Sequence, residues 1–121
     1  LVCLILLSLG DPVMNHENPV PQYLYKIVSP EEWQESLMKN EVVRGTLDQQ
    51  FIHLSTDAQL KHVAEKFWKG KKLVVLKLDP KKLPGRLVYE TNPGGSNRYY
   101  HLYEENIPLD AVLETSSSIN P

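Results

Sequence analysis

Phe51-Ile52-His53-Leu54-Ser55-Thr56 reads as a short strand that runs straight into a helix N-terminus. Side chains alternate along a strand, so Ile52 and Leu54 share one face and Phe51, His53 and Ser55 the other. The apolar pair is predicted to enter the core. An imidazole and a hydroxyl are then left side by side at the strand end. The free N–H groups of the following helix lie next to them, a place that suits a phosphate or another anion. Ser55 and Thr56 also have a structural account as helix caps, and capping competes for the same N–H groups. His53 likewise has a structural reading, as a core histidine donating to a backbone carbonyl.

Downstream, Thr56-Asp57-Ala58-Gln59 has the capping-box pattern. Leu60, Val63, Ala64, Phe67 and Trp68 follow at helical spacing, and Gly70 supplies the stop. Phe67 and Trp68 are expected in the core. Upstream, residues 23–28 read as a strand with Tyr23, Tyr25 and Ile27 on one face and Leu24, Lys26 and Val28 on the other. Ser29-Pro30-Glu31-Glu32 starts a helix with Ser as N-cap, Pro at the first position and Glu closing the box. It runs to about Asn40, with Trp33 and Leu37 buried together. Residues 41–50, with Gly45, form a connection. The apolar run at 73–78 is a central strand, and 86–90 is another. Asn92-Pro93-Gly94-Gly95-Ser96-Asn97 is a loop. Residues 99–103 are a strand placing Tyr99, His101 and Tyr103 on one face, residues 111–115 a last strand, and 116–121 a frayed tail. Early helices and late strands argue for an α+β domain over residues 23–115, built on a twisted, mostly antiparallel split sheet.

Composition fits that picture. The chain has 121 residues, 41% apolar and 23% charged, enough for one domain with a modest core. A net charge of −2 and a pI near 6.1 give no bulk positive field for DNA. One cysteine, Cys3, excludes a disulfide scaffold and a Cys-rich zinc site. The histidines at 16, 53, 62 and 101 lack metal-ligand spacing, so no metal is expected, although His53 and His101 can still meet in space. Residues 1–22 read as an apolar N-terminal extension and linker. Residues 1–10 are too short to span a bilayer as a helix. Met14 is read as the natural start, which implies a cytoplasmic protein, with a secretory remnant as the alternative.

Together, Tyr23-Leu24-Tyr25-Lys26-Ile27, the 51–56 stretch, the 73–79 run, His101-Leu102-Tyr103 and Ile107-Pro108-Leu109-Asp110-Ala111-Val112 resemble the small family called domain of unknown function 952. Some of its members carry a glutathione S-transferase-like label. That resemblance implies an ADP-ribosyltransferase-like fold. Residues 45–55 also look like part of the tRNA 2′-phosphotransferase relatives, where a Gly-bearing connection and a His-Leu-Ser strand line an NAD pocket. By that resemblance His53 and Ser55 contact a nucleotide's ribose or pyrophosphate. The chain departs from the pattern where Tyr25-Lys26 replaces an Arg-His pair. Glu104 and Glu105 also lack the flanks of a transferase glutamate.

The implied enzyme binds NAD or an ADP-ribose-like ligand and transfers or removes an ADP-ribosyl group. His53, His101 and Tyr103 are its candidate catalytic residues. Tyr25, Lys26, Arg44, Ser55 and Thr56 are the candidate contacts to the cofactor. Whether an RNA or a protein is the acceptor stays open. The alternative is a nucleotide- or phosphate-binding module without turnover. Glutathione chemistry is disfavoured, because Cys3 lies outside the domain and no thioredoxin-like pattern is present.

Overall fold

Residues 19–119 are described by the computed structural model. The first alternating segment forms β1 (Leu24–Val28). Ser29 then caps α1 (Pro30–Lys39): its hydroxyl accepts from Glu32 N, and the Glu32 carboxylate accepts from Ser29 N. Asn40 ends that helix in the left-handed region, at φ 60°. A two-residue strand, β2 (Glu41–Val42), and a 3-10 turn at Thr46–Asp48 lead into β3 (Ile52–Leu54). Thr56 caps α2 (Asp57–Phe67) through the reciprocal box with Gln59. The remainder is β4 (Lys72–Leu78), β5 (Arg86–Thr91), β6 (Arg98–Tyr103), β7 (Ile107–Pro108) and β8 (Val112–Ile119).

Every strand pairing is antiparallel. β1, β4 and β8 form one sheet in the order β1-β4-β8, and β3, β6 and β5 another in the order β3-β6-β5. A single bridge, Tyr25 to Ser55, joins β1 to β3. The fold is therefore α+β, with two helices and antiparallel sheets. The core gathers Leu24, Val28, Ile52, Leu54, Leu76, Leu78, Leu102 and Ile107, with Trp33 packed against it. Ile52 and Leu54 are both buried, as their alternation requires. Among the described residues, no helix is long and apolar enough to cross a membrane.

Four expectations are corrected. Leu37 is not buried with Trp33; it is 47% exposed, and the buried position on α1 is Ser36. The Ser36 hydroxyl donates to the Glu32 carbonyl at 2.7 Å and accepts from Val43 N at 2.9 Å, which a leucine could not do. The 41–50 connection contains a strand, because Glu41 and Val42 pair with Pro108 and Ile107. The tail does not fray after residue 115, since the ladder to β4 continues to Ile119 opposite Lys72. Those serines make no core, but the backbone of β4 offers them a full row of partners. Finally, α2 buries no residue, and Phe67 is 46% exposed. Its apolar face turns to an open cleft instead of the core. The reading of residues 1–22 as extension and linker lies largely outside the described residues.

Candidate functional site

The cleft begins where β1 and β3 part company. Tyr25 and Ser55 exchange both backbone hydrogen bonds, each at 2.8 Å. Beyond that pair the strands splay, and the backbone groups of His53 on the β1 side need other partners. The Asp48 carboxylate accepts from His53 N at 3.2 Å, and the Lys26 ammonium donates to the His53 carbonyl at 3.1 Å. Side chains thus replace the missing ladder. Because His53 bonds toward β1, its pairing with His101 on β6 is of the non-hydrogen-bonded kind, which brings side chains closest. The two imidazole centroids lie 5.2 Å apart.

Asp48 is the hub. Its Oδ1 lies 2.8 Å from His53 Nδ1 and its Oδ2 lies 2.5 Å from Lys26 Nζ. Only about a twentieth of its side chain is exposed, and a tenth of that of Lys26. Burial pushes the Asp48 carboxyl upward, but the His53 hydrogen bond and the Lys26 ammonium outweigh it and hold the group below its ordinary value. A carboxylate only accepts, so Nδ1 of His53 carries a hydrogen. In the neutral ring Nε2 is then the basic nitrogen. It has no partner among the described residues, and about a third of the His53 side chain is exposed. A carboxylate that holds a histidine in one tautomer, with the other nitrogen free, is the arrangement of a general base.

Asp48 is aimed by its loop. Arg44 donates to the Asp48 carbonyl at 2.8 Å, to Asn106 Oδ1 at 2.7 Å and to the Glu105 carbonyl at 3.3 Å. Gly45 precedes the turn, and a Cβ there would come within 3.2 Å of Glu32 Oε2.

Behind Phe51 lies a second cluster. The Phe51 ring stacks on His101 with centroids 3.9 Å apart. His101 is fully buried; Nδ1 is 2.7 Å from Glu90 Oε2 and Nε2 is 2.7 Å from Asn92 Oδ1. The Tyr103 hydroxyl donates to the same Glu90 oxygen. Burial pushes the His101 ring down, and the Glu90 contact only partly opposes this. The Tyr103 and His101 hydrogen bonds hold the Glu90 carboxyl down, and Glu90 in turn holds the Tyr103 phenol up.

The cleft has a volume of about 810 Å³. Lys26, Asp48, His53 and Ser55 give it a polar floor, and Val63, Phe67, Trp68 and Tyr99 an apolar wall. Among the residues singled out from sequence, His53, Tyr25, Lys26 and Ser55 line this space. His101 and Tyr103 belong to the cluster behind it and do not. Arg44 is committed to the loop, where Nε, Nη1 and Nη2 each donate. Thr56 does not line the cleft, and its hydroxyl and N–H serve the α2 cap. Capping thus wins the competition for the N–H of Gln59. Asp48 and Glu90 were missed. A lysine in an otherwise apolar strand signals a buried acid partner, and Asp48 is the carboxylate of the polar loop that leads into the His53 strand. Glu90 became a neighbour of His101 only through the register of β5 on β6.

The profile of the family described as "Protein of unknown function (DUF952)" matches residues 27–115. The chain belongs to this family. The crystal structure of protein CC0527 from Caulobacter crescentus is similar at 30% sequence identity and a TM-score of 0.69, over 78% of this chain and 84% of that one. The solution NMR structure of CC0527 gives 29% identity and a TM-score of 0.67, over 79% and 84%. No curated protein of described function matches significantly.

Proposed function

We propose that the cleft at the split binds a nucleotide-like small molecule, with NAD or an ADP-ribose-containing compound as the leading ligand. One observation carries this reading: Asp48 holds His53 through Nδ1, leaving the other ring nitrogen free, and His53 lines a cleft walled by Phe67, Trp68 and Tyr99. Aromatic walls suit a planar base, and a basic nitrogen suits a ribose hydroxyl. The deep cations are committed, Lys26 to Asp48 and Arg44 to its loop. Phosphates therefore lie toward Lys71 at the rim of the cleft. The resemblance to ADP-ribosyltransferase-like proteins supports the same ligand.

Turnover is the second reading, and the Asp48–His53 pair favours it. When the bond between nicotinamide and ribose breaks, a water or acceptor hydroxyl adds to the ribose carbon and its proton passes to His53 Nε2. Calorimetric titration with NAD, ADP-ribose and AMP is expected to show binding that weakens at least tenfold in Trp68→Ala. Absence of binding at millimolar ligand would overturn the reading. Nicotinamide release from NAD that is abolished in His53→Ala, with binding retained, would establish turnover over simple binding.

A further inference from the structure

A buried ring stands behind one residue of the cleft wall. Asn92 lines the cleft, and its Oδ1 lies 2.7 Å from Nε2 of the fully buried His101. The other nitrogen of that ring faces Glu90 Oε2 at 2.7 Å. A carboxylate only accepts, so Nδ1 keeps its hydrogen in both charge states of the ring. Nε2 must change role instead: it donates when the ring is charged and accepts when it is neutral. A carboxamide has an acceptor at one end and a donor at the other, and a half-turn exchanges them. Nδ2 of Asn92 has no partner among the described residues.

We propose that His101 is a positioning residue whose charge decides which end of the Asn92 carboxamide is presented to a ligand in the cleft. A charged ring holds Oδ1 and presents the N–H₂ group, which recognises a carbonyl or phosphate oxygen. A neutral ring holds the N–H₂ group and presents Oδ1, which recognises an N–H donor such as an exocyclic amine or a primary amide. Oδ1 on Nε2, as the structure has it, is the charged-ring arrangement. Burial opposes that charge, and once the ring is neutral the carboxamide turns and the site selects ligands with an N–H donor. The ligand preference rests on the binding reading above, whereas the coupling between the two residues does not.

The groups around His101 allow this titration. Glu90 faces it from β5 and His53 from β3, with Asp48 behind His53 already paired to Lys26. Tyr103, on the same strand as His101, shares Glu90, and Arg86 sits over the Tyr103 ring at 4.7 Å. Phe51 covers the ring face and carries no charge.

Nitrogen-15 spectra of the full chain without ligand, recorded from about pH 5 to about pH 8, test the coupling. The histidine rings and the side-chain amides are both followed. His101 Nδ1 is expected to stay protonated while Nε2 titrates, and the Asn92 N–H₂ signals to move with the same midpoint. In Asn92→Asp a second carboxylate faces the ring, and the His101 midpoint is expected to rise by about one to three pH units. An Asn92 amide that stays still while His101 titrates overturns the proposal. A His101 midpoint unmoved in Asn92→Asp does so too, and that variant decides the matter where the wild-type ring stays neutral throughout. Because no ligand is present, failure of nucleotide binding leaves this test intact.

Discussion

At Asp48 one carboxylate serves both a buried ammonium and an imidazole, and most of the local energy follows from that sharing. Removing one member of a buried ion pair strands the other, at a cost of about 3–5 kcal/mol. Asp48→Ala is therefore expected to lose about that much stability in urea unfolding, because Lys26 and the Nδ1 hydrogen of His53 both lose their acceptor. Adding Lys26→Met removes the stranded charge, so the double variant should be at least about 1 kcal/mol more stable than the two single losses summed. Strict additivity would refute the shared pair. Acid should act on Asp48 and on the buried His101 of the second cluster. An unfolded histidine takes a proton near about pH 6.5, while the folded His101 ring takes it at lower pH. Between the two the unfolded chain binds more protons, so stability present above that window is lost as the pH falls through it. Asp48 behaves likewise in its own window, where the unfolded carboxyl takes its proton near about pH 3.9 and the folded one lower still. Melting temperature should therefore fall in two stages on acidification, and the upper stage should vanish in His101→Gln. A melting temperature that is flat across the upper window would contradict the burial of that ring.

At the scale of elements, local signals were readable and long-range ones were not. Both capping boxes, at Ser29 and at Thr56, formed as the spacing required. The alternation at 52–54 put Ile52 and Leu54 inside and His53 outside. What escaped depends on partners distant in the chain. β2 is two residues long and exists only because β7 pairs with it. β8 runs on through Ser116, Ser117 and Ser118 because β4 continues beside it. The spacing of α2 was right for a helix but did not reveal that its apolar face borders a cleft. Two turn glycines differ in a testable way. Gly70 and Gly85 both have positive φ, at 74° and 85°, but a Cβ at Gly70 meets nothing, while one at Gly85 would lie 2.4 Å from the Tyr103 carbonyl oxygen. Gly70→Ala should cost about 1–2 kcal/mol, for backbone conformation alone. Gly85→Ala should cost more, since the Tyr103 backbone must also move. Equal losses in thermal unfolding would contradict this placement of the loop before β5.

In the molecule as a whole, two three-stranded sheets meet at the Tyr25–Ser55 bridge and then diverge. The divergence leaves His53 without a strand neighbour on that side. Asp48 and Lys26 fill the gap, and the cleft opens under α2. Half of the site was therefore legible, in the His53 strand and the cap that follows it. The rest, Asp48, Glu90 and the committed Arg44, depended on how loops close over the split. The most direct measurement is a nitrogen-15 NMR titration of the protein with ADP-ribose, following the His53 ring and the Trp68 indole together. The account predicts saturable shifts at His53 Nε2 and at the Trp68 N–H with a common midpoint, while His53 Nδ1 keeps its hydrogen throughout. Neither signal moving at millimolar ligand, or an Nδ1 of His53 that carries no hydrogen, would contradict it.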